Sequence, residues 1–303
     1  MTQSISVARI TRLLGVERDL LLSLATKAER LYRHRRKSNR IISEPTEELK
    51  QIQRGLTTKV LNALPISSAS YSVKGRGVIL SAAQHRSAPY MYVLDIAKCF
   101  PATGFRLVQE ALTRAGLTKE AAELVTKLVT VKRALPQGAP TSSIVLDIVL
   151  YDLDEEFLLL AERYSARYCR YADDLCFSGT LDLSALARRA RRRVRGRGFS
   201  INERKTRLTG PGNRHLVTGI VVTDELNPRP GYTSDLSVEL RRAKRNPRIR
   251  KIKRLRSQTA WVAALNPAKG RRIRKENRWL FEKTKAKSDG VARESSDSGE
   301  SGT

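Results

Sequence analysis

The apolar positions of this chain follow two rhythms. Short unbroken runs of strand length stop at carboxylates: Pro89 to Leu94 reads Pro-Tyr-Met-Tyr-Val-Leu and ends at Asp95, while Tyr164 to Tyr171 and Leu175 to Gly179 flank the pair Asp173-Asp174. The first run predicts a buried strand with an acid at its carboxyl end. The other two predict a hairpin with two acids at its tip. Elsewhere the spacing is helical. Ser6 to Arg33 predicts two short helices joined by a turn at Gly15, an arrangement that also suits a DNA-binding helix-turn-helix. Glu47 to Leu64 places Leu49, Ile52, Leu56, Val60 and Leu61 on one face. Phe105 to Ala115 and Ala121 to Leu128 follow as helices, and a further helix, capped by Thr141 or Ser142, runs through Glu156 or beyond. Leu183 to Arg197 predicts an amphipathic helix whose arginine run reads as a solvated face. Ser200 to Thr209, containing Lys205, and His215 to Thr223 predict strands separated by Pro211-Gly212.

Composition changes the picture through charge. The 303 residues are 40% apolar, enough for two or three packed subdomains, yet 58 Lys and Arg against 30 Asp and Glu leave a net charge of +28. Such self-repulsion calls for a polyanionic partner, nucleic acid first. The basic residues are unevenly placed. Arg35, Arg36, Lys37 and Arg40 form a basic loop ahead of a short strand ending at Pro45, and Arg241 to Leu280 holds sixteen Lys or Arg against the single acid Glu276. Apolar positions recur through that last segment, which predicts a helical domain tracking phosphates with Arg271, Arg272, Arg274 and Lys275. Beyond Lys287, Ser, Gly and Glu predict disorder. The domains expected are 1–88, 89–225, 226–286 and a tail, 287–303. No apolar run approaches the roughly 20 residues that span a bilayer, and the start does not resemble a signal peptide, so a soluble, cytoplasmic protein without membrane contact is expected.

Adjacent aspartates repel, and apolar neighbours raise the proton affinity of at least one unless a cation neutralises them. For a bare Asp-Asp pair, turn chemistry favours a surface turn, and a third carboxylate on a neighbouring strand is what overturns that reading. Asp95, at the end of a core strand, is the candidate third carboxylate, and three carboxylates suit two divalent ions for phosphoryl transfer. Hard oxygen donors point to Mg²⁺, with Mn²⁺ second. The three cysteines and three histidines are scattered and form no zinc pattern. Gln137-Gly138, in a loop before a helix N-terminus, offers an amide and backbone donors to an anion or a nucleotide edge. Lys74-Gly75-Arg76-Gly77 reads as a plain basic turn, since its spacing is not a P-loop.

Taken together, Tyr171-Ala172-Asp173-Asp174, Asp95-Ile96-Ala97-Lys98-Cys99-Phe100 and Leu135-Pro136-Gln137-Gly138 resemble a reverse transcriptase, and the chain's length and Val217-Thr218-Gly219 resemble the bacterial retron type. The resemblance implies an α+β right-hand polymerase fold with fingers, a palm of antiparallel sheet plus helices, and a basic helical thumb. It implies Asp95, Asp173 and Asp174, with the Ile96 carbonyl, as metal ligands. It places Arg40 at the incoming triphosphate, Phe100 as a gate against a ribose 2′-OH (core packing being the alternative), and Lys205 near the leaving pyrophosphate, as proton donor or simple cation. Val217, Thr218 and Gly219 are implied in recognising a structured RNA. Where retron enzymes usually show Asn-Ala-x-x-His, this chain has Ser81-Ala82-Ala83-Gln84-His85. The partners so implied are a structured noncoding RNA serving as template and primer, its DNA product, deoxynucleoside triphosphates and an effector or toxin protein. The implied product is branched RNA-linked DNA (msDNA) used in antiviral defence. Other bacterial reverse transcriptases, group II intron-like or otherwise defence-associated, and a non-catalytic nucleic-acid binder are the competing expectations.

Overall fold

In the computed structural model, which describes residues 4–38, 40–246 and 249–281, the chain divides into two compact units, Met1–Arg229 and Pro230–Thr303. The tail expected to be disordered lies outside the described residues.

The first unit opens with α1 (Val7–Leu14) and α2 (Arg18–Lys27), separated as the periodicity predicts: Ser6 caps α1 through the Arg9 amide, and Gly15 ends it at φ 69°. The basic stretch expected as a loop is instead a strand, β1 (Tyr32–Lys37), paired antiparallel with β2 (Arg40–Pro45). All side chains of β1 after Tyr32 are exposed, so no apolar alternation marks it, and backbone pairing alone makes it a strand. Next come α3 (Glu47–Lys59), which ends five residues short of the expected Leu64 in a 3₁₀ turn, and α4 (Val78–Ala83).

The central sheet has the order β4-β5-β3-β6. Its members are β3 (Tyr90–Asp95), β4 (Ala166–Tyr171), β5 (Asp174–Gly179) and β6 (Arg207–Thr209). Between β3 and β4 run α5 (Cys99–Ala102), α6 (Phe105–Arg114), α7 (Lys119–Val129), α8 (Ser142–Val149) and α9 (Tyr151–Arg163). The single helix expected after Ser142 is thus two, broken at Leu150, where ψ is 2°. Helix α10 (Ser184–Gly196) follows β5. Tyr92, Phe157, Tyr168 and Phe177 stack and cross edge-to-face at centroid distances of 4.6–6.2 Å, fastening α9 beneath the sheet.

Two strand expectations need correction. The predicted Ser200–Thr209 strand is interrupted: Ile201 makes an antiparallel bridge to Ile96 and Arg207–Thr209 forms β6, but between them the Lys205 and Thr206 amides both donate to the Asn202 carbonyl and fold the chain into a turn. The predicted His215–Thr223 strand is a hairpin, β7 (His215–Val217) and β8 (Ile220–Val222), with β9 (Leu226–Pro228) completing a small sheet. Thr218 and Gly219 turn the chain at φ 47° and 84°.

The second unit is helical: α11 (Tyr232–Arg245), α12 (Ile249–Leu265) and α13 (Pro267–Glu276), built around Leu236, Leu240, Leu255, Val262, Ile273 and Leu280. Asn266 caps α13 and Pro267 occupies its first turn.

Candidate active site

The register of the central sheet brings the predicted carboxylates together. Asp95 and Asp174 are direct partners across β3 and β5, and the Ile96 amide donates to the Asp173 carbonyl at 3.1 Å, which extends the pairing to the hairpin tip. Ala172 adopts φ 53° so that the chain can reverse between Tyr171 and Asp174. Asp95 is only 2% exposed. Lys205, held in the turn that replaces the predicted strand, places its Nζ 3.0 Å from Asp95 Oδ2. The Asp95 amide donates to Thr206 Oγ1 at 3.2 Å.

These surroundings tune the acids unequally. Burial, then repulsion from Asp173 and Asp95, pushes the Asp174 carboxyl up to about 6. Burial also raises Asp173, aided by Asp95 and opposed by Lys205 and Arg40. The Lys205 ammonium is held protonated, chiefly by its hydrogen bond to Asp95. Negative charge is therefore crowded at this strand end beyond what one lysine neutralises.

A buried cation supports the hairpin from below. Arg170 is 0% exposed and makes a fork of bonds to Asp154, at 2.7–3.1 Å, together with one to Asp147 Oδ1 at 3.0 Å. A further Nη1–H donates to the carbonyl of Ala172, the residue in the left-handed conformation, at 3.0 Å. Ser70 and Ser72 also donate to Asp147 Oδ1, whose buried Oδ2 has no hydrogen-bond partner among the described residues, and the Tyr168 hydroxyl donates to Asp154. Leaving any member of such a network without its partner costs about 3–5 kcal/mol. Sequence reading missed this set, because an arginine in a basic chain carries no signal and its carboxylate partners lie 16 and 23 residues away.

Arg40, Phe100, Gln137 and Gly138 meet in one cleft of about 490 Å³, to which Lys50 and Arg54 add charge. The cleft is built by tying the β1–β2 hairpin to the Gln137 loop: the Ser43 amide donates to the Gln137 carbonyl at 2.7 Å. Gly138 sits at φ 118°, where a Cβ would meet Ile42 Cγ2 at 2.9 Å and the Ser43 carbonyl at 3.3 Å. Phe100 reaches this cleft because Lys98, at φ 49°, turns the chain out of β3 into α5. Its side chain is partly buried against the core as well, so packing and cleft wall coexist in one residue.

Other predicted residues lie elsewhere. Val217 is buried within β7, while Thr218 and Gly219 form the β7–β8 turn. Arg271, Arg272, Arg274 and Lys275 are exposed on α13 in the second unit. His85 is buried between Ser178, which shares a hydrogen bond with Nδ1 at 2.7 Å, and Cys169, 3.0 Å from Nε2, so it joins α4 to β4 and β5. The Lys74–Gly77 turn is structural, since Arg76 donates to the carbonyls of Ser67, Ser68 and Ser70.

Among the described residues no three His, Cys, Asp or Glu side chains close as a finished metal cage. The crowded acids nonetheless fit Mg²⁺. That ion takes one or two carboxylates, keeps waters and accepts substrate phosphates rather than requiring an all-protein cage, and the uncompensated charge at Asp173 and Asp174 is what a hard cation would relieve.

The profile of the family described as reverse transcriptase (RNA-dependent DNA polymerase) matches residues 27–227. The chain is similar to the retron Mx162 reverse transcriptase of Myxococcus xanthus, at 32% identity over 274 residues, covering 77% of this chain and 56% of that protein. It is also similar to the retron Mx65 enzyme of the same organism, at 31% over 257 residues, covering 77% and 60%. The retron Ec86 reverse transcriptase of Escherichia coli matches at 28% over 232 residues, covering 72% and 71%. The chain thus spans little more than half the length of the two Myxococcus relatives. Among solved structures, telomerase from Candida albicans, in complex with a TWJ fragment of telomeric RNA, superposes with a TM-score of 0.50 at 12% identity, covering 81% of this chain and 55% of that one, a likeness of fold. The architecture is the right-hand polymerase fold with mixed helices and antiparallel sheets that the motifs implied. Because the matched region runs from the end of α2 into β9 and takes in both strands that carry the aspartates, the chain belongs to the reverse transcriptase (RNA-dependent DNA polymerase) family.

Proposed function

We propose that this chain is the RNA-directed DNA polymerase of a retron, copying part of a structured noncoding RNA into DNA that remains joined to that RNA as a branched product, in the cytoplasm and in service of antiviral defence. The observation that carries the polymerase reading is the pairing of Asp95 with Asp174, beside Asp173, next to a basic cleft walled by Phe100. Two Mg²⁺ ions, or Mn²⁺, held by Asp95, Asp173, Asp174 and the Ile96 carbonyl, would activate the primer hydroxyl and stabilise the leaving oxygen. The protein's own groups do the rest. Arg40, Lys50 and Arg54 bind the triphosphate of a deoxynucleotide, and Gln137 and Gly138 border its sugar and base. Phe100 obstructs a 2′-OH. Lys205, kept protonated by Asp95, brings a positive charge and a proton to the pyrophosphate end. The retron assignment is supported by the similarity to three retron enzymes, and the Val217-Thr218-Gly219 turn is the proposed point of contact with the structured RNA. An effector protein is a further proposed partner.

The test is to express the chain together with its flanking genomic sequence and to isolate the nucleic acid that copurifies. DNA attached to RNA through a 2′,5′ branch is the expected result. Extension of added primers without any branched product would replace the retron reading with that of another reverse transcriptase.

A further inference from the structure

Helix α10 carries a second basic site, distinct from the cleft. Its arginines divide by partner. Arg191 and Arg195 pair with Glu203, while Arg193 and Arg197 pair with Glu156, and Arg197 also reaches Asp152. Among the described residues no carboxylate pairs with Arg188, Arg189 or Arg192, and all three are exposed. These three, spaced i, i+1 and i+4 on one helix, line a groove of about 470 Å³ with Ala185 and Tyr164.

Topology places the groove away from the aspartates. Strand β5 runs from Asp174 to Gly179, a span of about 17 Å. At its far end a Cβ on Gly179 would touch Leu183 at 3.4 Å and Ala166 at 3.6 Å, so the start of α10 and the start of β4, two residues after Tyr164, lie together there. A run of arginines on a helix is ordinarily a solvated face. Here four of the seven are tied up in pairs with Glu203 or Glu156, and the three that pair with no carboxylate among the described residues converge on a concave surface beside a tyrosine.

Guanidinium groups bind phosphate oxygens through two parallel N–H bonds, and a tyrosine adds a hydroxyl donor or a stacking face. We propose that this groove holds the phosphate backbone of the structured RNA outside the catalytic cleft, as an anchor for the part of the molecule that is not being copied. The inference rests on the reading of the chain as a polymerase that works on such an RNA. No base edge need be read, so the interaction is electrostatic and sequence-independent.

The test compares the full-length protein with its Arg188→Gln/Arg189→Gln/Arg192→Gln variant, glutamine being nearly as good a helix former as arginine. Binding of a fluorescein-labelled RNA hairpin is followed by anisotropy across a salt series. Affinity is expected to fall about tenfold or more, and the slope of log K against log salt to shrink by about 2 to 3, roughly one unit or slightly less for each phosphate that the protein no longer neutralises. A charge-matched variant, Arg9→Gln/Arg12→Gln/Arg18→Gln, is expected to keep a slope near that of wild type. An unchanged slope in the α10 variant would overturn the anchor and leave the face to solvent or an acidic protein. Equal reductions in both variants would overturn it too, reducing the effect to net charge. Extension of a primed RNA template by the wild-type protein is measured alongside: its absence would count against the polymerase reading, whereas the slopes report on the groove alone.

Discussion

Burial has opposite consequences for the acid and the base nearest the central strands. It lifts Asp174 to about 6, and it pushes the His85 imidazole down to about 3, with the Arg167 charge adding to the effect. His85 is fully buried and keeps its two hydrogen bonds as a neutral ring. Below its ordinary value of 6.5 the unfolded chain binds a proton that the folded chain refuses. The stability His85 contributes is therefore fully present above about pH 6.5 and is lost as pH falls toward 3. Between about pH 7 and pH 5 the reduction is about 2 kcal/mol. Urea unfolding at the two pH values is expected to show this difference in the wild-type protein and to lack that share of it in His85→Gln. Parallel behaviour of the two proteins would mean that other groups set the acid sensitivity. At this scale Asp95 was legible because it ends an apolar run, and Asp173 and Asp174 were legible because that third carboxylate set them apart from an ordinary turn pair. Arg170 was not, although it is the largest fully buried side chain among the described residues, because nothing local distinguishes it from its basic neighbours.

At the scale of elements, helices with one apolar face were readable from spacing alone, down to the Gly15 break between α1 and α2. Strands lacking such a face were not. Residues 33–37 are all polar, so β1 exists only through its pairing with β2, and β6 is cut to three residues by the Asn202 turn that delivers Lys205 to Asp95. Polar content hid β1, whereas the segments that bring Arg40 and Lys205 to the site were read as extended, and only the Asn202 turn went unread, because it depends on backbone bonds that apolar spacing does not report. The hairpin's hold on the palm runs through Gly138. Gly138→Ala introduces a Cβ at an already left-handed φ, against Ile42 and the Ser43 carbonyl, and is expected to displace β2 and with it Arg40. Steady-state kinetics should then show KM for deoxynucleotide rising about tenfold or more, the scale of one charge-assisted hydrogen bond, with a smaller change in kcat. Unaltered KM would show that the loop and hairpin do not shape the nucleotide site.

Across the whole molecule the +28 charge is unevenly spread, with clusters in the β1–β2 hairpin, the cleft, α10 and the helices of the second unit. That uneven layout was legible as clusters of arginine and lysine, but which clusters are already neutralised by carboxylates depends on folding and was not. In the second unit, Arg271, Arg272, Arg274 and Lys275 project from α13 while Ile273 is buried in the core, and Arg272 has only a surface pair with Glu276 at 3.8 Å. Replacing all four by glutamine is expected to weaken RNA binding and to lower the salt slope by about 3, with the helical circular dichroism retained. A slope equal to wild type would separate this unit from RNA binding.

Nucleotidyl transfer by the acids gathered at Asp95, Asp173 and Asp174 is tested most directly by single-nucleotide incorporation on an RNA template with a DNA primer and Mg²⁺, comparing wild type with Asp174→Asn, each checked for fold and for primer-template affinity. Incorporation by the wild type is expected, together with a drop of at least about a hundredfold in the variant and preserved binding. Incorporation by Asp174→Asn within a few-fold of wild type would contradict the role given to these acids.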